Sequence, residues 1–257
     1  MVLSSENIDK NSPIPAYYQI MKHLREKIAD GAYSINSTLP PERELVEMYQ
    51  VSRMTVRQAI AELVNEGILV RRKGIGTFVA PPKLEQELSS LTSFTEDMAQ
   101  RGMKAGGRIL SFKEISPDAT LQKILGLSAE ETVFESVRLR LADEEPMALE
   151  TTTLIAALCP GLKWEDLENQ SLYKLLTERW NLQLEYATQS LEPILAPSHE
   201  AAILDVAPGA PLLLMHRTTY DEGGRAFEHV KSLYRGDRYK FVTELYRNQS
   251  RRTAFRK

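Results

Sequence analysis

Apolar residues recur with a helical period in three successive segments of the first 80 residues. In residues 14–30 they fall every three or four positions, and Gly31 stands where a helix would end. Pro41 opens a second, shorter helix. Ser52 can cap a third helix, which ends before Gly67. The pattern therefore predicts three short helices in sequence.

Two strand-like runs follow the third helix. Residues 68–72 and 77–79 flank a glycine-bearing turn, a composition typical of a β-hairpin. Three helices followed by a hairpin predict a winged helix-turn-helix domain over residues 1–80. In such a domain Val56 and Ile60 should face the core, because they lie on the apolar side of the third helix.

The remainder of the chain has a mixed pattern. Because Pro81 and Pro82 lack amide donors and favour extended backbone, we expect a linker over residues 81–90. Strand-like runs cover residues 104–115, 131–141, 146–155, 183–195, 211–221 and 225–235, and helical stretches cover residues 93–101, 117–125, 171–180 and 197–205. We predict an α+β domain with an antiparallel sheet over residues 91–246, followed by a basic tail at residues 247–257.

Composition agrees with two globular domains. The chain has 257 residues, 42% of them hydrophobic and 26% charged, which are ordinary values for a globular protein. No apolar run approaches the roughly 20 residues that span a bilayer, and the first residues lack the apolar core of a signal peptide. A single cysteine, Cys159, excludes an internal disulfide. We therefore expect a cytoplasmic protein with no membrane contact.

Charge is distributed unevenly along the chain. The net charge is −3, but residues 1–83 carry 11 basic and 9 acidic side chains whereas residues 84–257 carry 21 and 26. Residues 51–79 hold five basic side chains against two acidic ones. This basic stripe is suited to phosphate contacts made by a dimer on short DNA sites.

The third predicted helix carries the residues suited to reading DNA. The second helix of a helix-turn-helix lies in the major groove, so its first turn meets base edges. Arg53 in that turn and Arg43 in the preceding helix can each donate two hydrogen bonds to guanine, while Thr55 and Arg57 can reach phosphates. Other three-helix domains with surface arginines share this pattern, and winged helices also mediate protein contacts, so both functions stay open on the pattern alone.

The predicted wing is suited to close approach to DNA. Gly74 has no side chain to clash with the minor groove, and Lys73 beside it favours the negative phosphates.

Long motifs resemble a known family. The stretch LPPERELVEMYQVSRMTVRQAIAELVNEGILVRRKGIGTFV resembles the GntR family of bacterial regulators, in which a winged helix binds operators as a dimer. LTSFTEDMAQRGM, SVRLRLADEEPMALETTTL, SLYKLL and AFEHVKSLYRGDRYKF resemble the effector domain of the HutC branch, the UTRA domain, which has a chorismate lyase-like fold. The resemblance covers about residues 12–246. It implies base reading by Arg43 and Arg53, backbone contacts by Thr55 and Arg57, and a wing contact at Gly74.

Two positions depart from the family pattern. Pro41 stands where such sequences commonly have a serine, and Ile75 stands where the wing often has an arginine. The first change removes a hydroxyl and the second removes a cation from the predicted DNA surface, so affinity for DNA could be lower.

Arg138 and Arg140 are the first candidates for ligand binding. Residues two apart on a strand share a face, and two guanidinium groups on one face attract an anion. They could instead pair with acidic side chains across the sheet. A helix that begins at Ser93, Phe94 and Thr95 would offer unpaired amides suited to a phosphate.

The resemblance extends this site to a set of polar and aromatic residues. Glu150 and Glu228 could accept protons from sugar hydroxyl or amino groups, and Tyr173 and Tyr234 could stack or donate, although structural roles fit these residue types equally well. The family match implies effector roles for Ser93, Phe94, Thr95, Arg138, Arg140, Glu150, Ser171, Tyr173, Glu228 and Tyr234. Within the HutC branch the likeness is to repressors of N-acetylglucosamine utilisation, which implies glucosamine 6-phosphate or N-acetylglucosamine 6-phosphate as effector.

An enzyme is the main alternative, because the UTRA domain is similar in fold to chorismate lyase. The four histidines have no metal-ligand spacing, and Cys159 has no evident base beside it. We therefore expect no catalytic residues, no metal and no cofactor. An architectural DNA binder without a sensor would leave the C-terminal domain without a purpose. The expectation is a homodimeric, effector-responsive repressor, with another sugar phosphate or an organic acid as the alternative effector.

Overall fold

A computed structural model describes residues 8–72, 74–168 and 170–245. The chain divides into two units, Met1–Leu84 and Glu85–Lys257. No helix within the described ranges is long and apolar enough to cross a bilayer.

The first unit contains the three predicted helices and the hairpin. Its elements are α1 (Ala16–Ala29), α2 (Glu42–Tyr49), α3 (Arg53–Asn65), β1 (Leu69–Arg72) and β2 (Gly76–Val79). The Ser52 hydroxyl accepts a hydrogen bond from the Thr55 amide and so caps α3 as predicted. Val56 and Ile60 are buried in one core with Leu24 and Leu45, which confirms the predicted inward face. Pro41 occupies the cap position just before α2.

The second unit is built on a six-stranded sheet. Its strands are β4 (Ala105–Ile115), β5 (Val133–Ala142), β6 (Glu145–Ile155), β7 (Tyr186–Leu195), β8 (Pro211–Tyr220) and β9 (Ala226–Arg235), in the order β4-β5-β6-β9-β8-β7. Every neighbouring pair is antiparallel. Asp143 and Glu144 connect β5 to β6 with φ values of 47° and 68°, as a two-residue hairpin turn requires.

Helices cover both faces of this sheet. They are α4 (Phe94–Gln100), α5 (Ala119–Leu125), α6 (Leu172–Trp180) and α7 (Ser198–Leu204), with 3₁₀ turns at Ala156–Leu158 and Trp164–Leu167. Leu139 and Leu141 of β5 pack in one core with Leu204 of α7. Because side chains alternate along a strand, Arg138 and Arg140 point to the opposite face. Arg138 and Arg140 therefore share a face, as the period of two predicts.

A small second sheet differs from the predicted organisation. β3 (Leu84–Glu87) pairs with β10 (Tyr239–Val242), and the Leu88 amide donates to the Val242 carbonyl at 3.0 Å. β3 lies inside residues 81–90, for which we expected a linker. The four residues of β3 are mostly polar and show no strand pattern in the sequence. They form a strand because β10 satisfies their backbone hydrogen bonds. The predicted tail at 247–257 lies outside the described residues.

Candidate functional site

Glu42 forms ion pairs with three arginines on the predicted DNA-reading surface. Arg53 Nε donates to Glu42 Oε2 at 3.1 Å, and Arg57 Nε and Arg71 Nη2 lie 3.7 Å from Glu42 Oε1. These cations come from the first turn of α3, its second turn and β1, so a carboxylate at the start of α2 holds three elements of the surface together. The ion pairs are exposed, and each contributes little to stability on its own.

The other predicted DNA contacts lie on the same unit. Arg43 is 88% exposed on α2, where its Nε lies 3.6 Å from Glu47 Oε1 on the next turn of the same helix. The Thr55 hydroxyl lies 2.8 Å from the Ser52 hydroxyl, at the start of α3. Gly74 has φ of +75° in the hairpin turn, and a Cβ there would have open space around it. Lys73, the remaining predicted contact, lies outside the described residues.

A small cavity opens on the cationic face of the six-stranded sheet. Its volume is about 30 Å³, enough for one or two water molecules. Its lining includes eight of the ten predicted effector residues: Ser93, Phe94, Arg138, Arg140, Glu150, Tyr173, Glu228 and Tyr234. The lining is completed by Gln86, Thr92, Thr152, Leu172, Met215, Arg217 and Val230. The other two predicted residues, Thr95 and Ser171, lie beside it.

Two buried arginines share one buried carboxylate on the cavity wall. Arg138 Nη2 and Arg140 Nη2 lie 2.7 Å and 2.9 Å from Glu150 Oε1. Burial by itself would raise the pKa of Glu150, but the two guanidinium groups outweigh it and lower that pKa to about 2. Glu150 is therefore a carboxylate at neutral pH. This pairing is the alternative that the sequence left open, with the acid on the neighbouring strand β6.

Arg138 retains donors that the protein does not use. The residue is 3% exposed, and its Nε and Nη1 atoms are buried without a hydrogen-bond partner among the described residues. Burial lowers the pKa of Arg138 to about 10, with a further contribution from Arg140, so the side chain stays charged at neutral pH. Unsatisfied buried donors are costly, and an acceptor in the cavity would relieve that cost.

The other end of the cavity is a hydroxyl-rich site around Glu228. Thr219 Oγ1 and the Tyr173 hydroxyl donate to Glu228 Oε2 at 2.6 Å and 3.1 Å. Burial raises the pKa of Glu228, and these hydrogen bonds oppose the rise. Arg217 Nη1 lies 3.4 Å from the Tyr173 hydroxyl and also donates to the Thr92 carbonyl at 3.2 Å. Arg217 thus ties β8 to the segment that precedes α4.

Two helix starts meet beside the cavity. Ser93 caps α4 and Ser171 caps α6, and the Ser171 hydroxyl donates to the Ser93 hydroxyl at 3.2 Å. The Ser93 amide donates to Glu96 Oε2 at 2.9 Å, so the expectation that this amide is unpaired is wrong. A capping box uses it internally. Thr95 lines an adjoining cavity of about 20 Å³ that shares Arg138 and Arg140.

Comparison with known proteins identifies the architecture. The UTRA domain matches residues 100–240, and the gntR family of bacterial regulatory proteins matches residues 16–79. The chain belongs to the GntR family. It is 48% identical over 237 residues to the HTH-type transcriptional repressor NagR of Bacillus subtilis (strain 168), an alignment that covers 92% of this chain and 97% of NagR.

Two further comparisons span nearly the whole chain. The mannosyl-D-glycerate transport/metabolism system repressor MngR of Escherichia coli (strain K12) is 33% identical, with 92% of this chain and 98% of MngR covered. The crystal structure of PhnF from Mycobacterium smegmatis matches with a TM-score of 0.63 and 32% identity, covering 89% of this chain and 100% of that one.

These findings confirm the predicted winged helix, the UTRA domain and the α+β class. The chain is a transcriptional repressor of the HutC type within the GntR family, and its two domains imply operator DNA and a small-molecule effector as partners. Its relatives and structural neighbours are regulators rather than enzymes, in agreement with the expectation from its residues.

Sequence reasoning missed four polar residues of the cavity lining: Gln86, Thr92, Thr152 and Arg217. Arg217 lies on a predicted strand and shares its face with Met215 and Thr219, so that face could have been assigned once Glu228 was placed opposite Thr219 on the neighbouring strand. Gln86 had no such signal, because it lies in the range expected as linker.

Proposed function

We propose that this repressor controls amino-sugar uptake and catabolism, and that glucosamine 6-phosphate or N-acetylglucosamine 6-phosphate releases it from its operator. The environment of Arg138 is the main support for an anionic effector. Its buried charge and two unused donors call for an anionic acceptor in the cavity. The 48% identity to NagR supports an effector of the same chemical class as that of NagR-type repressors, which the resemblance gives as an amino-sugar 6-phosphate.

The charge balance of the cavity supports an anionic ligand. Arg138, Arg140 and Arg217 face two carboxylates, Glu150 and Glu228, so positive charge is in excess even when both acids are ionised. An uncompensated buried charge is costly, and a phosphate would offset it. The amides of Phe94 and Thr95 would add donors at the start of α4.

The polar end of the cavity supports a hydroxylated ligand. Glu228, Tyr173 and Tyr234 offer a carboxylate and two hydroxyl groups in a buried setting, which suits sugar hydroxyl or amino groups. Among the described residues, all close contacts of Glu150 go to Oε1, so Oε2 remains the atom that a ligand could engage.

On the DNA side, we assign base reading to Arg43 and Arg53 and backbone contacts to Thr55 and Arg57. Lys73 and Gly74 of the wing would approach the minor groove. The functional unit would be a cytoplasmic homodimer on paired half-sites, with residues 1–80 as its DNA-binding domain and residues 91–246 as its effector domain.

Calorimetry tests the effector class. Glucosamine 6-phosphate and N-acetylglucosamine 6-phosphate should bind the full chain, and the unphosphorylated sugars should bind at least about tenfold more weakly, because charge-assisted hydrogen bonds to phosphate are lost. Arg138→Gln should abolish this preference. Arg225→Gln, in the exposed turn between β8 and β9, is the matched control and should behave as wild type.

Two outcomes would contradict the proposal, and one control is needed. Equal binding with and without phosphate would refute the anion site. Binding by neither phosphate would refute the amino-sugar assignment and move the effector to another sugar phosphate or an organic acid, whose carboxylate could meet the same guanidinium groups. A thermal unfolding profile must show that Arg138→Gln is folded before its loss of binding is interpreted.

A further inference from the structure

The cavity is much smaller than the ligand proposed for it. Small-molecule pockets commonly measure roughly 300–1,000 Å³, whereas this cavity measures about 30 Å³. On the proposed function, therefore, a sugar phosphate can enter only if some of the cavity wall moves outward. Which wall moves decides how binding is transmitted.

Most of the wall is firmly held. Arg138, Glu150, Arg217 and Glu228 lie on strands of 10 or 11 residues in the six-stranded sheet. Gln86 is different, because it lies on the four-residue strand β3, whose partner β10 also has four residues. A short two-stranded sheet is marginally stable by itself, so β3 is the strand of the wall that moves at least cost.

Gln86 points into the cavity. It is 6% exposed, while Glu85 and Glu87 on either side are exposed, as the alternation along a strand requires. β10 touches the cavity lining as well, since the ring of Tyr239 lies 4.7 Å from that of Tyr234 in an edge-to-face contact. Both strands of the small sheet are therefore in contact with the ligand site.

β3 is also the point at which the chain passes from one unit to the other. The division falls between Leu84 and Glu85, so Gln86 is the second residue of the effector unit. Pro81 and Pro82 precede the strand and restrict its backbone to extended conformations. Because the prolines limit the backbone conformations between β2 and β3, a displacement of β3 also shifts the chain that leads to the wing.

We infer that Gln86 couples the effector cavity to the DNA-binding unit: a ligand that enters the cavity displaces the Gln86 side chain and β3 with it, and the shift is passed on through Leu84. The nature of the ligand rests on the proposed function, but the coupling rests on the position of Gln86. Coupling of this kind requires the ligand to bind the displaced state more tightly than the undisplaced state. This condition is met because the undisplaced cavity, at about 30 Å³, is too small to hold a sugar phosphate.

The first test uses the full chain, glucosamine 6-phosphate and a duplex selected from random sequences for binding to the wild type. In the wild type, saturating ligand should weaken DNA binding by about tenfold or more, within the usual range of allosteric coupling. Gln86→Ala removes the displaced bulk, so the effect should fall below about twofold while calorimetry still shows ligand binding. Gln86→Met keeps the bulk, and it should retain the wild-type effect.

The two variants separate the outcomes. A wild-type effect in Gln86→Ala overturns the role of Gln86, and loss of the effect in both variants overturns displacement as its mechanism. Glu87→Ala, on the exposed side of the same strand, is the matched control and should respond as wild type.

A second test needs no ligand. Gln86→Trp overfills the cavity and should weaken binding to the selected duplex by about tenfold without effector, whereas Glu87→Trp should not. Wild-type DNA affinity in a folded Gln86→Trp protein would overturn the inference, and Gln86→Phe replaces it if the tryptophan variant does not fold. If glucosamine 6-phosphate fails to bind the wild type, the proposed effector fails, and this second test still decides the coupling.

Discussion

Glu228 illustrates how single residues are placed at a cost to stability. Its carboxyl group is 1% exposed, and its partners are hydroxyl groups of Thr219 and Tyr173 rather than a cation at ion-pair distance. Burial therefore raises its pKa. Glu150 has the opposite balance, since Arg140 and Arg138 outweigh burial and lower its pKa to about 2. Two glutamates on one sheet face thus differ in the protonation state that the fold favours.

The first prediction concerns Glu228→Gln. Because the pKa of Glu228 is raised on folding, its contribution to stability is fully present below its unfolded pKa of about 4.3 and is lost as pH rises through the folded pKa. The difference in Tm, variant minus wild type, should therefore increase with pH from about pH 4 upward. Thermal unfolding across this range tests it. Glu222→Gln, in an exposed turn, should show no such trend, and a difference for Glu228→Gln that is independent of pH would contradict the prediction.

The second prediction concerns the arginines proposed to read bases. Arg43→Ala and Arg53→Ala should each weaken specific operator binding by roughly 1–3 kcal/mol, because each removes a base-edge donor. Binding to unrelated duplex DNA should change much less. Gel shifts at one fixed salt concentration measure both, with Lys22→Ala on α1 as the control. Wild-type affinity in both arginine variants would refute the base-reading assignment.

At the scale of the element, the turn between β5 and β6 carries local backbone strain. Glu144 has φ of 68°, a left-handed conformation that costs a non-glycine residue roughly 1–2 kcal/mol. Asp143 shares this conformation but also accepts a hydrogen bond from the Lys104 amide at 2.9 Å, so its side chain contributes to the turn. Among the described residues the Glu144 side chain has no hydrogen-bond partner, so Glu144 can be replaced without loss of a contact.

The third prediction follows from this turn. Glu144→Gly should raise the free energy of unfolding of the effector unit by about 1 kcal/mol, because glycine adopts positive φ without the Cβ penalty. Chemical denaturation measures the change. Glu130→Gly, at an exposed position without positive φ, should instead be neutral or destabilising. A loss of stability in Glu144→Gly would contradict the prediction.

At the scale of the whole molecule, the two units have opposite charge. Residues 1–83 carry 11 basic and 9 acidic side chains, and residues 84–257 carry 21 and 26. The local excess of basic residues favours DNA on the first unit, while the acidic remainder disfavours non-specific contact by the second. A single winged helix with so small an excess of charge would bind DNA weakly.

The fourth prediction is a homodimer on a nearly palindromic operator. Paired half-sites match two-fold symmetry and supply the contact area that one winged helix lacks. Light scattering should give twice the chain mass at micromolar concentration, and sequences selected from random DNA should contain an inverted repeat. A protein that remains monomeric on its operator would contradict this.

The sequence by itself determined the elements and the family. Helical periodicity with Ser52 and Gly67 at the ends of α3, and strand alternation along the hairpins, depend on local steric and capping preferences that act within a few residues. The ten predicted effector residues also came from sequence, through the family resemblance, and eight of them line one cavity. Arg138 and Arg140 could be placed on one face because a strand has a period of two.

Only the tertiary structure decided how those residues are paired. The partner of Arg138 and Arg140 is Glu150 on another strand, and the Ser93 amide is occupied by its own helix; neither follows from spacing. β3 exists because β10, more than 150 positions away, satisfies its hydrogen bonds, so no local pattern marks it. Gln86 enters the cavity for the same reason: burial is a property of packing between distant segments.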